Sequence, residues 1–319
     1  MNRRFALIQV LLSLIALAAV VWWASKQEAP ELPTGSSSIA WLIVAIGIYA
    51  VATLLRAERW HRILHLTGVN AKRSDSYALT TVGYMGNNVL PARAGEMLRV
   101  MLLSPRAQAG KRQLLGTVVA ERALDAIALA AIFLVVAYGI LRDTVLESDR
   151  PLLVLGTAVF LVIVGLIVLQ LLRHRGALER LREFARPLAG APRALLSRDG
   201  ALLLGGSFLI WAAEASVYLS VAHAAGLDIS GMGALYLMAF TNLVAMVPAA
   251  PGYLGTFDAA VVLGVRAIGG TRSAALPYLL LLRFVLFVPI TLVGLAMLVT
   301  RYGGWSRVRA ATRLEASSA

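Results

Sequence analysis

"NNVLPARAGEMLR", residues 87–99, sets two asparagines, a proline, a glycine, two arginines and a glutamate between apolar segments. Pro91 removes a backbone donor and breaks a helix, and Gly95 joins it as a hairpin-breaking residue. A charge at bilayer depth costs roughly 2.5 to 3.5 kcal/mol on insertion scales. Whether this run sits in water or in lipid therefore decides the fold, and the residues around it give the answer.

The chain is 59% hydrophobic and 15% charged, with a mean hydropathy of +0.76. Apolar runs at residues 5–24, 39–55, 114–140, 152–172, 201–222 and 275–300 reach or approach the roughly 20 residues that a helix needs to cross the hydrocarbon core. The alternation of a barrel strand is absent. These features predict an all-α polytopic integral membrane protein with about six full transmembrane helices. The net charge of +13 does not indicate nucleic acid, because the basic residues lie between apolar runs and read as topology signals. Cysteine is absent, which excludes disulfides, thiolate metal sites and a cysteine nucleophile. His61 and His65 are four residues apart, but Arg56, Arg59 and Arg62 beside them read as a solvated interfacial helix rather than a metal pair. No metal or other cofactor is expected. The first apolar run ends at Trp22 and Trp23 and reads as an uncleaved helix with an interfacial anchor.

Basic loops stay cytoplasmic. Residues 56–76 carry five basic against two acidic side chains, residues 104–113 three against none, and residues 173–199 seven against three. Residues 24–38 and 141–150 are acidic in balance, and residues 225–231 hold only Asp228. The pattern predicts a multi-pass protein of the bacterial inner membrane with both termini cytoplasmic. Both flanks of residues 77–103 are then inside, so this segment must enter and return. Its two arms, about 21 and 18 Å long as helices, are too short to cross. A re-entrant hairpin turning at Pro91 is the expected form. Residues 232–267 repeat the device from the outer side, broken at Pro248, Pro251, Gly252 and Gly255; Arg266 and Arg272 are exceptions to the charge rule there. Two Pro/Gly-broken hairpins in inverted arrangement point to a transporter site. The expectation is one membrane domain over residues 1–319: a first half at 1–150 with hairpin 77–103, a cytoplasmic linker at 173–199, a second half at 200–300 with hairpin 232–267, and a cytoplasmic tail at 301–319.

Charges inside apolar segments need a partner or a task. Arg93, Glu96 and Arg99 are spaced by three and share a helix side, so Glu96 can reach either arginine. One carboxylate cannot neutralise both. The surplus positive charge, with the Asn87 and Asn88 amides and the free N–H groups after Pro91, suits a phosphate headgroup; the alternative is an internal salt bridge that holds the hairpin together. Arg122 and Asp125 are placed to pair, leaving Glu121 for a basic residue elsewhere, such as a hairpin arginine. Glu214 and Arg283 have no opposite charge within four residues and need partners across helices. Asp258 stands beyond the Pro251–Gly252 break as Glu96 stands beyond Pro91.

Four stretches, "NNVLPARAGEMLRVMLL" (87–103), "ERALD" (121–125), "VPAAPGYLGTFDAA" (247–260) and "LLRFVLFVPITLVG" (281–294), together resemble the flippase-like transmembrane family named after lysylphosphatidylglycerol synthase. The resemblance covers essentially the whole chain. It implies that Asn87, Asn88, Pro91, Arg93, Gly95, Glu96, Arg99, Glu121, Arg122, Asp125, Pro251, Gly252, Gly255 and Arg283 fall on family motif positions. Tyr253 stands where glycine is common and Asp258 where glutamate is usual. Some members carry a cytoplasmic aminoacyl-transfer domain, and the expectation for this chain is a stand-alone form without it.

The functional expectation is a non-enzymatic flippase for a lipid with a phosphate-containing headgroup: anionic, aminoacylated or polyprenyl-phosphate-linked. Asn87, Asn88, Arg93, Glu96, Arg99, Glu121, Arg122, Asp125, Glu214, Asp258 and Arg283 are its candidate substrate contacts. No G-x-x-x-x-G-K-[ST] motif is present, which argues against ATP-driven movement. The rival readings are a glycosyltransferase-like membrane enzyme acting on a polyprenyl-phosphate or glycolipid, with Glu96, Glu121 or Asp258 as general base and the arginines holding phosphate, and a non-transporting partner of a lipid-synthesis enzyme. The sequence does not fix an oligomeric state.

Overall fold

In an apolar solvent, backbone N–H and C=O groups must be satisfied within the chain, and helices do this segment by segment. The computed structural model describes residues 35–90, 93–144, 197–245 and 251–304, and every regular element among them is helical. In chain order they are α1 (Ser36–Leu66), α2 (Arg73–Val89), α3 (Ala94–Ala107), α4 (Lys111–Thr144), α5 (Arg198–Ala224), α6 (Gly231–Ala245), a single turn at Pro251–Tyr253, α7 (Thr256–Ala267) and α8 (Arg272–Tyr302). Among the described residues, α1, α5 and Ser273–Tyr302 of α8 are long and apolar enough to cross a membrane. The expected run 114–140 lies within α4, whose first half carries Glu121, Arg122 and Asp125. The expected spans 5–24 and 152–172, the linker up to residue 196, and the tail from residue 305 lie outside the described residues.

α2 and α3 fold back on each other as an antiparallel hairpin, and glycines permit the contact. A Cβ on Gly95 would stand 2.0 Å from the Gly83 carbonyl oxygen, and one on Gly86 would stand 2.6 Å from the Gly95 Cα. Leu90 is extended at φ −101° and ψ 147°, as a residue before proline is driven to be. Pro91 itself lies outside the described residues. α6 and α7 form the second hairpin, with Gly264 against Leu237 and Phe240 and Gly233 against Ile268. Its break is built by Gly252 at φ 62° and Gly255 at φ 82°, conformations that glycine adopts without a Cβ clash. Pro248 lies outside the described residues.

α8 runs antiparallel to α2 and ties the hairpins to opposite ends of the bundle. At its C-terminal end Tyr302 donates to Asp75 at 3.1 Å, Arg106 donates to the Arg301 carbonyl and Arg301 to the Ser74 carbonyl. The base of the first hairpin is therefore at that end. At the other end, Gly270 packs on Val265 and Leu227, beside the start of the second hairpin. Two apolar clusters fill the interior: one around Tyr218, Tyr236, Tyr278 and Leu282, the other around Trp60, Leu79, Leu103 and Leu298.

One expectation is corrected. Residues 56–66 continue α1 instead of forming a solvated segment, and Arg56 and Arg59 are only 4% and 3% exposed. The spacing explains this, because Arg56, Arg59, Trp60, Ile63 and Leu64 recur at three and four and share one helix face. That face packs against α5 and α4 and carries both arginines inward. His61 is buried as well, with Nδ1 3.1 Å from the Ser76 hydroxyl.

Candidate functional site

The two helix breaks meet. Arg93 Nε donates to the Tyr253 hydroxyl at 3.1 Å, and its guanidinium lies 5.6 Å from the centre of that ring. Gly252 is packed so that a Cβ there would lie 3.4 Å from the Asn88 carbonyl oxygen. Asn88 Nδ2 donates across to Thr291 of α8 at 2.9 Å. A cavity of about 100 Å³ opens between the breaks. Six of the expected residues line it: Asn87, Asn88, Arg93, Arg122, Asp125 and Glu214.

A network of paired charges forms part of the cavity wall and continues behind it. Arg56 of α1 pairs with Glu214 of α5, and the second oxygen of Glu214 accepts from Asn242 at 3.2 Å. Arg59 lies 2.8 Å from Asp125 and 3.5 Å from Glu121, and donates to Ser207 at 2.6 Å. Arg99 reaches Glu121 at 2.5 Å and lies 4.4 Å from the centre of the Trp60 ring. Arg122 pairs with Glu96 at 3.0 Å and with Asp125 at 3.2 Å. Four arginines thus meet four carboxylates, the balance that buried charge requires to offset its desolvation.

Two details differ from the sequence reading. Glu96 bonds to neither hairpin arginine and turns to Arg122 on the next helix, whereas Glu121 meets the hairpin Arg99, as the sequence led one to expect. Glu96, Arg99 and Glu121 consequently sit outside the cavity lining. They hold α3 to α4.

Asp258 and Arg283 form a separate unit, an ion pair between α7 and α8. The other oxygen of Asp258 accepts from the Gly255 backbone N–H at 2.8 Å, which caps α7, while Arg283 Nη1 donates to the Gly252 carbonyl at 3.2 Å. Both residues brace the second break and are absent from the cavity lining. Six arginines therefore surround the meeting point of the breaks, and Arg93 is the one with no carboxylate partner among the described residues. The surplus cation expected in the opening run is Arg93 alone.

Sequence reasoning missed several cavity residues: Arg56, Tyr49, Tyr84, Trp211, Asn242 and Tyr253. The signal for Arg56 was present in its helical spacing with Trp60 and Leu64. The aromatic residues gave none, because an aromatic in an apolar run reads equally as lipid-facing or core.

Comparison with known proteins adds the relationship. The family described as the lysylphosphatidylglycerol synthase TM region matches residues 7–294. A UPF0104 membrane protein of Methanothermobacter thermautotrophicus is 21% identical over 316 residues, covering 91% of this chain and 93% of its own length. One of Pyrococcus horikoshii is 22% identical over 333 residues, covering 94% and 98%. The glycosyltransferase AglD of Haloferax volcanii is 26% identical over 149 residues, which are 47% of this chain and 24% of that protein. With the family match running from the first apolar segment through both breaks and into the last helix, this membrane protein belongs to the lysylphosphatidylglycerol synthase transmembrane region family.

Proposed function

We propose that the chain is a lipid flippase that moves a phosphate-bearing lipid between leaflets. Arg93 carries this reading. It is a cavity arginine without a carboxylate partner among the described residues, at the junction of two broken hairpins, and a phosphate oxygen is the charge-assisted acceptor that would complete it. Asn87, Asn88 and Tyr253 provide neutral polar contacts around it, while the acyl or prenyl chains stay in lipid. In this reading the hairpins are re-entrant, α4 and the runs 5–24 and 152–172 complete six spans, and both termini are cytoplasmic in a bacterial inner membrane. The clustering of the Asp75, Arg106 and Arg301 contacts with basic loops at one end supports that orientation.

The test is lipid movement by the purified chain in proteoliposomes with reporter-labelled anionic, aminoacylated and polyprenyl-phosphate lipids. We expect one class to change leaflet, and Arg93→Ala to slow that movement at least tenfold while the protein remains folded. Movement of no class under an imposed proton gradient or membrane potential would sink the proposal.

A second reading draws on the match to the glycosyltransferase AglD over 149 residues. In it the same cavity would hold a polyprenyl-phosphate for group transfer, with Asp125 or Glu214 acting as base once released from its arginine partner. Mass analysis of the recovered lipid separates the two, because an enzyme alters the mass of the lipid and a flippase only its leaflet.

A further inference from the structure

Arg93 and Tyr253 share more than a hydrogen bond. Arg93 has φ 56° and Tyr253 has φ 54°, and with Gln108 they are the non-glycine residues of positive φ among the described residues. Gln108 merely ends α3. The other two face each other across the cavity, one at each helix break. Residues with a Cβ enter this left-handed region at a cost and are held there only when their surroundings determine it.

The surroundings are specific. The Tyr253 ring packs edge-on against Phe287, with centroids 6.4 Å apart, and its carbonyl accepts from Thr256 at 3.2 Å. The hydroxyl points at Arg93, whose Nε donates to it. Among the described residues, the terminal nitrogens of Arg93 have no hydrogen-bond acceptor. This guanidinium is thus left, among the described residues, with one neutral phenol oxygen and no carboxylate. A phosphate oxygen carries a negative charge that the phenol oxygen lacks, so it adds to the hydrogen bond a Coulombic attraction for the guanidinium and competes with the phenol for Arg93.

We infer that Tyr253 is a positioning residue that holds Arg93 in a closed arrangement, and that a phosphate group enters the cavity by exchanging with the Tyr253 hydroxyl. This rests on the reading that Arg93 receives phosphate. The same contact is one of those that join the first hairpin to the second, alongside Gly252 on the Asn88 carbonyl, so the exchange also loosens one break from the other. Ligand entry and hairpin separation become a single event, without any covalent step.

Calorimetric titration of the purified chain in detergent tests this, using inorganic phosphate, a soluble short-chain phosphatidylglycerol, and a short-chain diacylglycerol as the uncharged control. Tyr253→Phe keeps the ring and removes the hydroxyl, and we expect it to bind the phosphate probes about fivefold more tightly. Tyr253→Gly also relieves the positive φ and shifts affinity in the same direction, which guards against an effect peculiar to one variant. Arg93→Gln should lower affinity at least tenfold and cancel the gain from Tyr253→Phe when the two are combined, a non-additivity that a purely structural tyrosine does not produce. In transport, Tyr253→Phe should lower the half-saturating lipid concentration more than it changes the maximal rate.

Weaker or unchanged binding by folded Tyr253→Phe overturns the exchange, and so does an absence of phosphate binding in the parent and both tyrosine variants. If binding responds as expected but no lipid changes leaflet, the exchange stands and the flippase reading falls. If inorganic phosphate binds and the short-chain lipid does not, the cavity takes free phosphate and the exchange again stands.

Discussion

Arg56 of α1 and Glu214 of α5 form an ion pair in which the side chains are only 5% and 7% exposed. Removing one partner leaves the other as an uncompensated buried charge, so Glu214→Ala or Arg56→Ala should each destabilise the protein by about 3 to 5 kcal/mol. Replacing both together with Met and Leu should cost much less, since the penalty lies in the orphaned charge. Chemical unfolding in detergent measures both. A double variant that loses the sum of the two single losses would show that the pair does not act as a unit.

The two hairpin arginines should separate by phenotype. Arg99 is the closer partner of Glu121, which is fully buried and has Arg59 only at 3.5 Å. Arg99→Ala should therefore lower stability by about 3 kcal/mol or more. Arg93→Ala removes no carboxylate contact among the described residues, so its stability should change by about 1 kcal/mol or less while phosphate binding falls at least tenfold. Unfolding curves and calorimetry on the same preparations give both numbers.

Glycine substitutions should grade by what the added methyl meets. At Gly95 it would meet backbone, 2.0 Å from the Gly83 carbonyl oxygen, whereas at Gly264 it would meet the end of the Leu237 side chain at 2.6 Å. A side chain can move aside and a hairpin backbone cannot. Gly95→Ala is expected to cost more than about 3 kcal/mol and Gly264→Ala about 1 to 3 kcal/mol, the usual range for overpacking. Thermal unfolding of the two variants side by side checks the order.

The chain contains no cysteine, so single introduced thiols report on an empty background. Gln113 donates to the Thr67 carbonyl at the end of the bundle that holds the first hairpin's base, and Ser230 caps α6 at the other end. Gln113→Cys and Ser230→Cys should react with a membrane-impermeant thiol reagent from opposite faces of the membrane, with Gln113→Cys protected in intact cells. Labelling of both from one face would overturn the opposed entry of the hairpins.

Much of the fold was legible because lipid enforces simple rules. Length and hydropathy marked the segments that became α1, α5 and α8, and Pro with Gly marked both breaks. The site was legible only in its unusual members: Arg93 and Asn88 stand out in an apolar context, as does the Arg122–Asp125 pair, which lies within one helical turn. Pairing across helices was legible for Glu121 with a hairpin arginine and otherwise not. Arg59 meets Asp125 and Glu121 because α1 crosses α4, a fact of packing that spacing within either segment does not encode. Arg56 and Arg59 were misread for a related reason: a charge at the end of an apolar run looks the same whether the helix stops there or continues into a polar interior.

The meeting of the two breaks also sets the order in which the site can come into being. Its wall draws on residues from Tyr49 to Phe287, and Asn88 and Arg93 of the first break gain Gly252 and Tyr253 only from the second. During synthesis, when the first hairpin is complete, the cavity has one side. It closes only after most of α7 and the middle of α8 have been inserted, so neither half of the chain inherits a working site, and the two halves must be made and kept together.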